Sequence, residues 1–264
     1  MRGPTVSVVE TEDRGAVRHV ILARAEKRNA INEELVRGLG EAFEAAWQDE
    51  AVRVVVVRGE GPRFSAGMDL GSLRDLSERP QTLRSFRTAI LRVWNTLEEM
   101  PKPTICQIHG GCIGGALELA LACDMRVMAE DAVTGLVETR IGLLPDVGGC
   151  SRLPAVVGLG NAKELVMCGK VIDGREAHRI GLANRIAPAE ELDAAVDALC
   201  QELLACAPLA VGLSKRVLDA AAKPMLAATL EQEVTSQQVL AGSEDFAEGA
   251  RAFLDKRPPE FARR

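Results

Sequence analysis

The residue with the clearest chemical potential in this chain is a glutamate that has no partner nearby. Glu118 lies in a run, residues 116–124, that is otherwise apolar up to its final Asp124. Four glycines within six residues precede that run: Gly110, Gly111, Gly114 and Gly115. Residues 104–108 ahead of the glycines have strand character, so the layout predicts strand, glycine turn and buried helix. On such a helix the neighbours of Glu118 at three and four positions are Gly114, Gly115, Leu121 and Ala122, and none can carry a counter-charge. A carboxylate so placed must find a distant partner or keep its proton, because desolvation disfavours the charged form. The first N–H groups of a helix have no intrahelical acceptor and carry partial positive charge, which suits an oxygen that becomes negative. Gly115 would offer such a donor on the face that carries Glu118. Two readings stand: a donor and a carboxyl group aimed into one reaction space, or a stray glutamate making a dipole or cap contact.

The elements that must position this pair follow from patterning. Residues 6–9 and 17–22 read as strands, and 24–30 as a loop. A helix is predicted from about Asn32, a capping residue, to Gln48, with Leu35, Leu39, Ala42, Phe43, Ala46 and Trp47 on one face. The β-branched run 54–57 reads as a buried parallel strand. Residues 59–70 are rich in turn formers, and a helix over 81–100 precedes the glycine unit. Residues 125–128 read as a strand, and 132–154 as a loop-rich region that holds Glu138, Gly142, Pro145, Asp146, Gly148 and Gly149. Helices are predicted over 190–206, 209–221, 226–241 and 243–255. Strand and helix units recur at Val54, Thr104 and Met125 without a short-period repeat. The fold class is α/β, with a core over 1–200 and a helical region over 201–264.

Composition removes several function classes. At 264 residues and 47% hydrophobic, the chain can build a sizeable core. A net charge of −6 gives no global basic surface for nucleic acid, and 3% aromatic residues with no Tyr give no base-stacking platform. Seven scattered cysteines without a C-x-x-C pair, and only three histidines, argue against a zinc site. Such cysteines read as buried thiols in a reducing compartment, and with no signal peptide or membrane span in the sequence the expected location is the cytoplasm.

Familiar motifs fail by inspection. Gly169-Lys170 lacks the first glycine of a P-loop, and Gly158-Leu159-Gly160 meets Lys163 where a dinucleotide fingerprint needs glycine. Ser65 has Arg63 in place of the first glycine of a nucleophile elbow. Cys112 with His109 is read as coincidence rather than as a thiol nucleophile.

Three segments together resemble the crotonase (enoyl-CoA hydratase/isomerase) superfamily. They are Phe64-Ser65-Ala66-Gly67-Met68-Asp69-Leu70, the stretch from His109-Gly110 to Asp124, and Glu138 through Gly149. Arg28-Asn29-Ala30 and Phe253-Leu254-Asp255-Lys256-Arg257 extend the likeness to both ends of the chain. The resemblance implies a spiral of β-β-α units with a helical C-terminal region that trimerises. The assembly would be a homotrimer or a hexamer made of two trimers. Leu226, Leu230, Val234 and Leu240 form apolar faces that a monomer would leave partly wet. The implied substrate is an acyl-CoA thioester, with coenzyme A part of the substrate, no other cofactor and no metal.

By the same resemblance the backbone N–H groups of Met68 and Gly115 hold the thioester oxygen, and Glu118 and Glu138 work together on a water and the double bond. Glu118 is assigned to the water and Glu138 to the Cα proton, which makes the chain an enoyl-CoA hydratase. The plain alternative for Glu138 is an ion pair with Arg140. Asp146 departs from the pattern, since many hydratases carry Gly there. An acid at that place resembles the dienoyl-CoA isomerases, although those carry Asp at the Glu118 position. Asp146 is therefore either catalytic, in an isomerase that uses it with Glu138, or a turn residue. The resemblance places CoA against Lys27, Arg28, the Ala66 backbone, Asp69 and Leu70, with Lys256 reaching a phosphate from a neighbouring subunit. Lys27 and Arg28 also read as solvated surface charge. Two further readings are a non-catalytic binding protein, which the retained Glu118, Glu138 and Gly115 oppose, and a thioester hydrolase.

Overall fold

The computed structural model describes residues 7–69, 71–72, 79 and 82–262. Its strands are β1 (Val9–Arg14), β2 (Val17–Leu22), β3 (Val54–Gly59), β4 (Thr104–Ile108), β5 (Gly111–Ile113), β6 (Met125–Ala129), β7 (Val133–Gly135), β8 (Ile172–Asp173) and β9 (Arg185–Ala187). Among the described residues the larger sheet runs β1-β2-β3-β4-β6-β9, and the smaller runs β5-β7-β8. Only the β1–β2 pair is antiparallel in the larger sheet. The run Val54–Val57 is buried throughout, as a parallel strand covered on both faces must be.

The helices are α1 (Glu33–Gln48), α2 (Leu83–Glu99), α3 (Gly115–Ala122), α4 (Gly149–Met167), α5 (Gly174–Arg179), α6 (Leu192–Leu204), α7 (Pro208–Ala222), α8 (Leu226–Ala241) and α9 (Glu244–Leu254). Asn32 caps α1 as predicted, its side chain accepting from Leu35 N at 3.0 Å. Leu35, Leu39, Ala42, Phe43 and Ala46 are buried on the predicted face.

Each turn of the chain repeats one plan: a long strand in the larger sheet, a short second strand, then a helix. The clearest copies are β4-β5-α3 and β6-β7-α4. Among the described residues, earlier turns have single bridges in place of the second strand. Ile31 pairs with Met68, and Ser65 pairs with Cys112. Second strands of one to three residues are too short to print an alternating pattern, which is why the repeat is invisible in sequence. This is the spiral of β-β-α units, closed by a C-terminal helical region.

Three expectations need correction. The first strand lies at Val9–Arg14 rather than 6–9. It is an exposed, charged edge strand, and Val8 and Val9 pack against the core at its start. The region 132–154 is less loop-like than its glycines and Pro154 suggested. It contains β7, a 3-10 turn at Glu138–Ile141 and the start of α4, which takes in Pro154 and breaks at Gly158. Leu230 and Val234 are buried within the chain's own core, because α8 lies against α2 and α4. Exposed apolar side chains instead line α7, at Leu209, Leu213, Val217 and Leu218, with Val239 exposed on α8. Residue 200 falls inside α6. No single helix among the described residues is long and apolar enough to cross a membrane.

Candidate active site

The short second strands bring two backbone donors together. Gly67 lies against the Ile113 carbonyl, and a Cβ on it would strike that oxygen and come within 3.6 Å of Gly115 N. The Met68 side chain rests on Gly115, where an added Cβ would meet its sulfur at 3.2 Å. The carbonyl and N–H on either side of Met68 are committed to Ile31, through Ile31 N to Gly67 O (2.8 Å) and Asp69 N to Ile31 O (2.9 Å). Among the described residues, however, neither Met68 N–H nor Gly115 N–H has an acceptor. Gly115 is the first residue of α3, so its N–H belongs to the unsatisfied set at a helix start. Gly114 has φ 59° and ψ −128°, and a Cβ there would sit 2.8 Å from Glu138 Oε1. The glycine turn thus lets a carboxyl group approach the donors closely.

Glu118 is 2% exposed on α3. Its Oε1 accepts from the N–H groups of Val147 and Gly149, each at 2.9 Å. Burial pushes its carboxyl well above the usual range, and Glu138, Asp146 and Glu233 push it the same way. Glu138 stands at the start of the 3-10 turn, with Oε2 buried and without a hydrogen-bond partner. No ion pair joins it to Arg140 among the described residues, which removes the plain alternative for this glutamate. Burial raises it to about 7, with Asp146 adding to the rise against the backbone N–H groups of Glu138 and Val137.

Asp146 occupies the turn before α4 and has Oδ2 buried without a hydrogen bond. Burial lifts it to about 7 although Arg87 pulls it down, and Arg87 Nε stands 3.6 Å from Oδ2. It is both a turn residue and a half-buried acid whose charge Glu118 and Glu138 feel. Three carboxyl groups close together, with Arg87 beside only one of them, are pushed toward their protonated forms, and adjacent N–H groups await an acceptor. That arrangement suits proton transfer beside a developing oxyanion. Among the described residues no group of His, Cys, Asp or Glu is placed to hold a metal ion.

Sequence reasoning missed the residues standing behind this cluster. Arg87 of α2 donates to Asp146 O and Leu230 O. Glu233 of α8 accepts from Gly148 N and Ser151, and Gln237 accepts from Leu144 N at 3.0 Å. Arg152 of α4 donates to Val147 O at 3.2 Å and pairs with Glu98 at 2.7 Å. Asn29 was also missed as a stitch: its buried amide donates to Glu60 O, Arg63 O and Phe64 O.

The expected CoA contacts are less unified. Ala66 N donates to Arg28 O at 2.9 Å, which joins those two segments. Lys27 and Arg28 are exposed at the end of a 3-10 turn. Asp69 is engaged by Arg24 at 3.0 Å. Its carboxyl lies below the usual range: burial opposes this, but the Gly71 N–H and Arg24 outweigh it. Leu70 lies outside the described residues. Lys256 is exposed after α9, and its described hydrogen bond is a backbone one, to Phe253 O. Cys112 is buried with its thiol pushed up, and His109 turns to Gly61 O at 2.9 Å, so the two form no nucleophile pair.

Residues 12–264 match the family described as enoyl-CoA hydratase/isomerase. The chain belongs to that family. It is 37% identical over 243 residues to a probable enoyl-CoA hydratase 2, mitochondrial, of Arabidopsis thaliana, covering 92% of this chain and 80% of the relative. It is 36% identical over 270 residues to the mitochondrial methylglutaconyl-CoA hydratase of Mus musculus, covering 97% and 85%. The crystal structure of an enoyl-CoA hydratase from Mycobacterium avium subsp. paratuberculosis K-10 superposes with a TM-score of 0.87 at 29% identity, covering 98% and 100%. The chain is thus an enzyme of the hydratase/isomerase type, and a CoA-thioester substrate is consistent with its family.

Proposed function

We propose that this member of the enoyl-CoA hydratase/isomerase family hydrates a 2-enoyl-CoA thioester. The observation that carries the reading is the pair Glu118 and Glu138, both shielded carboxyls, beside two backbone N–H groups without acceptors. Met68 N–H and Gly115 N–H hold the thioester oxygen and stabilise the enolate that forms as water adds to Cβ. Glu118 takes the proton from that water, and protonated Glu138 gives its proton to Cα. The pair ends with the proton on the other glutamate, and exchange through the shared site resets it. Glu138 at about 7 is suited to donate near neutral pH. The two N–H bonds to Glu118 favour its ionised form and oppose the effect of burial.

A second reading is supported by Asp146. A half-buried acid whose shielded Oδ2 has no hydrogen-bond partner, and whose charge both glutamates feel, suits proton movement along a dienoyl chain with Glu138. Crotonyl-CoA and a 3,5-dienoyl-CoA should be assayed side by side, with free thiol release followed in the same samples. Loss of the enoyl absorbance without thiol release supports hydration. Turnover of the dienoyl substrate alone would replace it by isomerisation, and thiol release would replace both by thioester hydrolysis.

Assembly as a homotrimer or hexamer belongs to the same reading. Its support is the apolar row Leu209, Leu213, Val217 and Leu218 left exposed along α7. Sedimentation should give three or six chains, and a concentration-independent monomer would overturn it.

A further inference from the structure

Glu233 is 4% exposed on α8, far in sequence from the glutamates above. Its carboxylate takes Gly148 N–H at 3.0 Å, Ser151 N–H at 2.7 Å and Ser151 Oγ–H at 2.6 Å. The amides of residues 147 and 149 go to Glu118. Three successive amides therefore alternate between two carboxylates: Glu118, Glu233, Glu118. Peptide planes are rigid, so the turn cannot rotate toward one carboxylate without withdrawing from the other. Arg87 adds to the grip, with Nη2 3.5 Å from Glu233 Oε2 and a hydrogen bond to Asp146 O.

We infer that Glu233 is a positioning residue for Glu118, clamping the turn before α4 so that Val147 N–H and Gly149 N–H stay aimed at the Glu118 carboxyl. This rests on the reading of Glu118 as the group that works on water. It makes the docking of a C-terminal helix a condition for activity, since α8 supplies the clamp. The charged groups facing Glu118 are Glu138 from the 3-10 turn, Asp146 from the turn before α4, and Glu233 from α8. Arg87 stands behind the last two, and the Cys150 thiol lies near all four acids.

The test uses Glu233→Ala and Glu233→Gln in the full chain with crotonyl-CoA. Glu233→Ala leaves the turn without its acceptor, and kcat should fall about 10- to 100-fold from misalignment. KM should change little, because no group that binds the thioester is touched. Glu233→Gln keeps an acceptor oxygen and should recover most of kcat. It also removes a like charge facing Glu118, so the acid limb of the kcat–pH profile should move to lower pH. The Glu118 carboxyl band, assigned by infrared difference against Glu118→Gln in substrate-free protein, should shift further in Glu233→Ala than in Glu233→Gln, which loses the charge but keeps the acceptor. That last readout needs no turnover, so it decides the clamp even if crotonyl-CoA is not hydrated. A Glu118 band that is unshifted, or shifted equally in the two variants, would overturn the inference. So would unchanged kcat and pH profile in a Glu233 variant that loses only thermal stability.

Discussion

Glu98 and Glu118 are both buried, at 7% and 2% exposure, and both reach the beginning of α4, yet their surroundings push the two carboxyls in opposite directions. Glu98 meets Arg152 at 2.7 Å and Lys223 at 2.5 Å. Burial pushes its carboxyl up, but the two cations more than reverse that and leave it below the usual range. Glu118 meets two amides and three other acids, and stays well above the range. Burial alone therefore does not mark a site. A buried acid given its cations is a fastener, and one denied them is left able to take up and release a proton.

The strongest way to break this contrast is to neutralise each acid. Glu118→Gln and Glu138→Gln should each slow crotonyl-CoA hydration by about 10²- to 10⁴-fold, the usual worth of a general acid or base. Acyl-CoA binding, read by calorimetry, should survive. The double variant should be little slower than either single one, because the groups act as a unit. Near-wild-type turnover in either variant would end the proposed chemistry. At Glu98 the effect should be on the fold instead. Glu98→Ala leaves the buried Arg152 without its ion-pair partner, and breaking such a pair typically destabilises by about 3–5 kcal/mol. Urea unfolding measures it, and the contrast fails if Glu118→Gln is destabilised as much.

Much of the fold could be read from the chain, because long elements repeat their pattern often enough to show. The α1 face, the Val54–Val57 strand and the helix at Leu226–Ala241 are examples. The second strands were hidden because Gly111–Ile113 and Val133–Gly135 are too short to alternate visibly. The start of α4 was hidden because Gly148, Gly149 and Pro154 read as breakers, whereas here Gly149 lets the helix start press on Glu118. Glu118 stood out as a lone acid in an apolar run. Glu233 and Arg87 did not, because each lies on a helix that carries other charged residues, where one more is ordinary. Only tertiary packing shows that these two face inward.

Stability against pH should separate the two kinds of buried acid with a smaller effect. Glu138 and Asp146 stand at about 7, against 4.5 and 3.8 for the free groups. The folded state thus holds protons that the unfolded chain releases. Their contribution is fully present below the free values and is lost as pH rises through about 7. Glu98, depressed in the fold, contributes above its ordinary value and is lost as pH falls. Urea midpoints between pH 5 and pH 8 should fall with rising pH in the wild type, and fall less in Glu138→Gln. A midpoint that rises over that window would contradict the assigned proton-holding state.

The smallest effect is expected at Asp146, which belongs to neither class cleanly. It has Arg87 at 3.6 Å, which resembles the Glu98 arrangement, but its Oδ2 has no hydrogen bond and it shares the field of Glu118 and Glu138. Asp146→Asn keeps the shape and removes a charge that raises both glutamates, so both should release protons at slightly lower pH. Crotonyl-CoA hydration at pH 8 should stay within about threefold of wild type, under roughly 1 kcal/mol of barrier. The folded state should change by about 1 kcal/mol or less, as for a turn residue. If the wild type also isomerises a 3,5-dienoyl-CoA, that activity should vanish in the variant while hydration persists, since a proton at the far carbon needs an acid within hydrogen-bond reach. Equal losses on both substrates, with a lowered urea midpoint, would reduce Asp146 to the turn before α4.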